Sequence, residues 1–238
     1  MPGGQNSGGQ NIEVLDLSLM PLRDANARLQ GDAKSAGAFF KVINPRGAHA
    51  LACGLDSEIE VEVEGHTGYY CAGMNKLARV VIKGNAGQGV AENMMSGEVR
   101  VTGDVSQSAG ATAHGGLLVV EGNAAARCGI SLKGGDIVVK GNVGHMSMFM
   151  AQAGTLVVLG DAGDALGDSL YEAQIYVRGS ADNLGADCVE KELREEHREK
   201  LRDLLGKAGC SDVDVSEFKR FGSARALYNF KPDNVDAY

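Results

Sequence analysis

The sequence lacks the groupings of residues that most site chemistry needs. Its five cysteines are odd in number and contain no C-x-x-C pair, which excludes a disulfide framework and leaves no iron–sulfur ligation expected from this chain. Its five histidines, His49, His66, His114, His145 and His197, form neither H-x-x-x-H nor H-E-x-x-H, so a zinc-hydrolase helix is excluded. A serine nucleophile elbow and a Walker A loop are also missing. No catalytic, cofactor-binding or metal-binding residue is therefore assigned. No run of eighteen apolar residues exists, and residues 1 to 10 are rich in Gly, Asn, Gln and Ser without an apolar segment. A membrane helix and a signal peptide are not expected, which makes a cytoplasmic location the default, and the first ten residues read as disordered. Positive charge is in deficit, with 23 Lys and Arg against 31 Asp and Glu and a net charge of −8. That balance argues against nucleic acid or an anionic membrane as the main partner.

Glycine, by contrast, is abundant, and its placement is periodic. Gly65, Gly84, Gly103, Gly122, Gly141, Gly160 and Gly179 are separated by 19 residues each. Four positions before each stand Val61, Val80, Val99, Leu118, Ile137, Leu156 and Ile175; two before stand Val63, Ile82, Val101, Val120, Val139, Val158 and Val177. Alternation with period 2 puts both columns on one face of a strand, and 19 residues are too few for a strand plus a long helix. Each repeat therefore reads as one coil of a solenoid, and seven coils at the inter-strand spacing would stand roughly 34 Å tall. A left-handed hexapeptide helix needs an aliphatic residue every six positions, and only one edge per coil has that regularity. The expected fold is all-β: a right-handed parallel β-helix of about seven 19-residue coils with a C-terminal helix and an extended tail.

Other columns refine the picture. Gly97, Gly116, Gly135 and Gly154, and Gly110, Gly129 and Gly167, recur at fixed offsets and read, with the main column, as corners that need positive φ or close backbone approach. The position after the main glycine is His66, Asn85, Asp104, Asn123, Asn142, Asp161 and Ser180, a stacked side-chain ladder in which no carboxylate neighbours another. Carbohydrate-cleaving β-helices would instead gather carboxylates in one place. Cys71 and Cys128 share a coil position three coils apart, about 14 Å, too far to share a bond or a metal. On the outer face, Val119, Val138, Val157 and Tyr176 make an apolar stripe that the termini or another subunit should cover.

The flanks divide the chain into an N-terminal extension (1–43), the β-helix (44–186) and a C-terminal helix with an interaction tail (187–238). The extension reads as a strand, Ile12 to Leu17, and a short helix, Leu22 to Leu29. A helix beginning at Asp187 with Glu190 in a capping box and Gly206 as its stop would either cap the open end of the solenoid or dock a partner. The tail concentrates Phe218, Phe221, Arg225, Tyr228 and Phe230 in a chain that is only 5% aromatic. Such residues anchor interfaces, so the tail reads as an arm on another subunit or back along the stripe. Truncation after Gly206 is then expected to leave the solenoid folded.

The repeats over residues 44 to 186, with G-x-x-G at Gly65/Gly68, Gly84/Gly87, Gly141/Gly144 and Gly160/Gly163, resemble the GXGXG β-helix domain of the glutamate synthase large-subunit family. That domain also occurs in formylmethanofuran dehydrogenase. The second glycine is replaced at Ser106, Ala125 and Asp182, which single corners tolerate. A free-standing version with Asn44-Pro45-Arg46-Gly47 ahead of the coils is most similar to the small β-helix subunit of N-methylglutamate synthase. The resemblance implies a hetero-oligomer with a class II glutamine amidotransferase-like subunit and an FMN-binding glutamate synthase-like subunit. It implies that FMN and an iron–sulfur cluster sit in partners, that none is bound here, and that this chain braces the catalytic subunits through the stripe and tail. The alternatives implied are glutamate synthase proper or a formylmethanofuran dehydrogenase-like complex; an independent carbohydrate-active enzyme would need the carboxylate cluster that the columns lack.

Overall fold

The computed structural model describes residues 12–31 and 37–226. Its strands are β1 (Ile12–Asp16), β2 (Phe39–Ile43), β3 (Glu60–Glu64), β4 (Arg79–Lys83), β5 (Glu98–Val101), β6 (Leu117–Val120), β7 (Lys133–Val139), β8 (Ala153–Val158), β9 (Gln174–Val177), β10 (Cys188–Lys191) and β11 (Lys219–Ser223). Two helices, α1 (Leu22–Gly31) and α2 (Glu195–Ala208), and a 3₁₀ turn at Val215–Glu217 complete the described elements. The strands form one sheet in the order β1-β2-β3-β4-β5-β6-β7-β8-β9-β11-β10. From β1 to β9 every pairing is parallel, as coil stacking requires. From β3 onward the glycine spacing is the pairing register: Val61 pairs with Val80, Val80 with Val99, and so on to Leu156 with Ile175. Both aliphatic columns are buried, with Val80, Val99, Leu118, Leu156 and Ile175 wholly so. The protein is a parallel β-solenoid.

The ladder also runs beyond the 19-residue repeat. Phe40 pairs with Val61 and Leu15 with Val42, so β2 and β1 add two rungs whose longer connections the periodicity does not reveal. Between them, α1 lies on the first complete coil with Ala25 and Leu29 buried. Asn26 donates to the Ala50 carbonyl and accepts from the Ala52 amide, both at 2.8 Å, and Gln30 donates to the Cys53 carbonyl at 2.6 Å. These bonds satisfy backbone groups that a missing coil would leave open. The helix that closes an end of the column is thus the N-terminal one.

At the other end the sequence reading needs correction. Residues 188–191 are strand rather than the first turn of a helix, because β11 returns antiparallel and pairs with both β9 and β10. The helix starts at Glu195, where the Arg194 amide donates to His197 Nδ1 at 3.1 Å, and it stops at Gly209 in the left-handed conformation, φ +77°. Gly206 lies inside it. Phe221 pairs with Ile175 and is 3% exposed, so it extends the Val/Ile column by one aromatic rung and plugs the interior. Truncation after Gly206 would remove this plug, and the expectation that the solenoid survives it is withdrawn.

The glycine columns separate into two physical classes. A Cβ on Gly141 would lie 2.4 Å from Asn123 Oδ1 and 2.8 Å from the Gly122 carbonyl oxygen; this column exists because successive coils touch. Gly116, at φ +83°, needs the left-handed region as well as the close approach, since a Cβ there would lie 2.8 Å from the Gly97 carbonyl oxygen. A third class was not foreseen. In the arc opposite the strands, alternate non-glycine residues are left-handed, among them Tyr70, Ala72 and Met74 (φ 60°, 54°, 55°) and Met146, Met148 and Met150 (φ 55°, 62°, 52°). Each such residue costs about 1–2 kcal/mol. The amides between coils offset that cost: Tyr70 donates forward to Gln88, Ala72 back to Leu51, Met74 forward to Glu92, all at 2.8–2.9 Å.

Candidate functional site

The outer stripe is buried by the chain itself. Val119, Val138, Val157 and Tyr176 are 0% exposed and pack with Leu201, Leu204, Leu205 and Ala208 of α2, together with Val215 and Phe218. The apolar face of the helix and the stripe match because each is a surface that water disfavours, and joining them within one chain avoids the entropy of association. These four residues and Phe218 are therefore covered within the chain and leave no open stripe, and Phe221 belongs to the plug. Of the other tail residues singled out, Arg225 binds both carboxylate oxygens of Glu172 at 2.7 Å, while Tyr228 and Phe230 lie outside the described residues. The corner glycines Gly65 to Gly179 are backbone devices.

The stacked polar column has a structural role. His66 Nδ1 accepts from the Asn85 amide, Asn85 Oδ1 from Asp104, Asp104 Oδ1 from Asn123, Asn123 Oδ1 from Asn142, Asn142 Oδ1 from Asp161 and Asp161 Oδ1 from Ser180, at 2.7–3.0 Å. The backbone amide of Ser180 holds the Asp161 carboxyl below the usual carboxylate range. Every acceptor is thereby directed at the next coil.

The first coils carry a ladder of charge on the outer face. Lys41 and Lys83 flank Glu62 and Glu64 at 2.8–3.4 Å, and the two lysines hold the Glu64 carboxyl down at about 2. Arg79 lies between Glu60 and Glu98. These partners neutralise each other, so this part of the face is solvated surface.

Nucleophile chemistry has no support in the cysteines. Burial pushes the Cys71, Cys128 and Cys188 thiols up to about 12, far from a thiolate at neutral pH. All five cysteines are free. No group of three or more His, Cys, Asp or Glu that could hold a metal occurs among the described residues. No described helix is long and apolar enough to cross a membrane.

What remains open to partners is elsewhere. Tyr69, Met74, Leu77, Met95 and Met150 are exposed on the arc and its flank, at 60%, 49%, 43%, 48% and 38%. Tyr69 stacks on His49 with ring centroids 4.5 Å apart. The N-terminal edge adds Ile12, Val14 and Leu19, also exposed. A groove of about 620 Å³ separates α2 from the strand starts, with Gly97, Gly116 and Gly135 in its floor and Leu204 and Lys207 in its wall. The periodicity gave the glycines of the groove floor as corners, but not the exposed Tyr69, Met74, Leu77 and Met95, because the coil positions they occupy are not apolar from one coil to the next.

No family model matches the chain. Among curated proteins it is similar to "Protein GlxC" of Rhizobium meliloti (strain 1021), with 61% identity over 228 residues, which is 95% of this chain and 100% of that protein.

Proposed function

The chain belongs to the GlxC family, and from that premise we propose that it is the non-catalytic β-helix subunit of a glutamate synthase-like complex. The complex we favour is N-methylglutamate synthase, which makes N-methylglutamate from methylamine and glutamate. In this reading the chemistry belongs to a glutaminase-like partner and an FMN-binding partner, and FMN and an iron–sulfur cluster sit there.

One observation carries the reading. The seven-fold glycine column closes each rung of a parallel ladder at a strict 19-residue register, and the same repeat is what resembles the GXGXG domain. The relative is spanned over its whole length, so it too is a chain of solenoid size. A rigid column of this kind suits a brace, because each coil is bonded to both neighbours and transmits position without a hinge. With the stripe occupied by α2, the bracing surfaces are the arc bearing Met74, Met95 and Met150 and the edge bearing Ile12 and Val14, where adaptable methionines and aliphatics are open.

The test is affinity isolation of the tagged chain from its source organism, with mass spectrometry of the partners and an absorbance spectrum. Co-purification of a glutaminase-like chain and a yellow flavin-bearing chain is the expected result. A colourless chain recovered alone would contradict the proposal.

A further inference from the structure

In a chain with a net charge of −8, four basic side chains converge on one concavity at the C-terminal end of the solenoid. A pocket of about 320 Å³ lies where β10, β11 and the segment leading into β9 meet, and its lining includes Lys191, Arg194, Arg220, Arg225, Glu172 and Ser223. Lys191 and Arg220 stand directly opposite each other in the antiparallel β10–β11 pair. Like charges in that relation weaken a sheet. Protection of the edge strand β10 accounts for a lysine there, but not for an arginine facing it from β11.

The commitments of these cations differ. Arg194 is held by Glu192 at 3.0 Å, and Arg225 by both oxygens of Glu172. Arg220 donates its Nε to the backbone carbonyl of Glu192 at 3.0 Å, and neither it nor Lys191 has an ion pair with a carboxylate among the described residues. Glu172 shows within the molecule what the pocket grips: a carboxylate held at both oxygens by one guanidinium nitrogen, Arg225 Nη2, at 2.7 Å.

We infer that this pocket binds a small polycarboxylate, with Lys191 and Arg220 as the principal charges and Arg194 at its rim; the Ser223 hydroxyl is taken by Asp187 and the Arg225 amide and shapes the wall. The volume is that of a small-metabolite site. The inference stands on the geometry of this chain and does not depend on the complex proposed above.

The experiment titrates citrate into the full-length chain at constant ionic strength, read by calorimetry and by amide shifts, with inorganic phosphate and chloride as comparisons. Saturable 1:1 binding is expected, with shifts confined to residues 171–174, 191–194 and 220–225, and affinity at least tenfold weaker in Arg220→Gln. Lys191→Gln, a change on the outermost strand, repeats the comparison in a variant checked by thermal melting to be folded like the wild type. The inference is overturned if citrate does not saturate, or if both variants bind it as the wild type does. Phosphate binding as tightly as citrate would overturn the carboxylate assignment.

Discussion

Arg100 caps α2 from the solenoid wall. Its Nη2 donates to the Lys207 carbonyl oxygen at 2.9 Å and its Nη1 to that of Ala208 at 3.3 Å, while Nη1 also binds Glu121 at 2.7 Å. Arg100 occupies the position in the outer column just before Val119. Apolar stripe and helix therefore end together, and the cation sits at the negative end of the helix dipole. Replacing Arg100 by Ala should destabilise the protein by about 1–3 kcal/mol, the range for a charge-assisted hydrogen bond at a helix terminus. Hydrogen exchange should speed up in α2 and stay unchanged in β3 and β4; uniform acceleration would mean that helix and column unfold as one.

Two adjacent valines should respond differently to the same charge. Val139 faces the interior and Val138 faces α2, and both are 0% exposed. Val139→Asp places an unpaired charge in the central stack and should prevent recovery of a folded chain, whereas Val138→Asp should release α2 and leave the strands paired. Far-ultraviolet circular dichroism with limited proteolysis in the 192–210 region separates the outcomes; a normally melting Val139→Asp protein would refute the column.

The corner and its ladder can be separated by two substitutions. Asn123→Ala removes the acceptor of the Asn142 amide and should cost about 1 kcal/mol, the net value of one hydrogen bond. Gly141→Ala puts a methyl group against Gly122 backbone as well as the Asn123 side chain and should cost more, about 1–3 kcal/mol by overpacking. Urea unfolding measures both, and equal effects would show that the coils can part at this corner.

Acid should erode the charge ladder in a defined direction. The Glu64 carboxyl lies at about 2 in the fold against its ordinary 4.5. A depressed carboxylate adds stability that is complete above the unfolded value and is lost as pH falls from about 4.5 toward about 2. Melting temperature followed over that range should fall less steeply in Glu64→Gln, and the difference should shrink in high salt. An identical slope in both proteins would show that Glu64 contributes nothing.

Phe221 is the last interior rung, and Phe221→Ala should cost about 3–5 kcal/mol by leaving the Ile175 end of the column open. Thermal melting gives the magnitude. A loss below about 1 kcal/mol, well under the usual Phe→Ala range, would show that β11 is not the plug.

Much of the column was legible because it is a local code repeated. Each Val or Ile four and two positions before a glycine meets its counterpart 19 residues away, so a short pattern also specifies the long-range contacts. The stripe of Val119, Val138, Val157 and Tyr176 was legible as a surface needing cover, but its cover was not. Leu201, Leu204 and Leu205 suit a cap, a strap or a docking helix equally, because amphipathicity says that a face is buried and not where. The strand at 188–191 was hidden for a related reason: four residues reading Cys-Val-Glu-Lys carry no strand pattern, and they become one only because β11 returns to pair with them.

The sequence by itself determined a stacked parallel solenoid, its register, its interior columns and its hydrogen-bonded Asn/Asp ladder, since all follow from interactions between positions 19 residues apart. Only the tertiary structure decided that α1 closes one end, that β11 and Phe221 close the other, that α2 covers the stripe, and that Lys191 faces Arg220. Those contacts join segments outside the repeat, where no periodicity constrains the chain and the outcome rests on which surfaces can be brought together to exclude water and satisfy backbone groups.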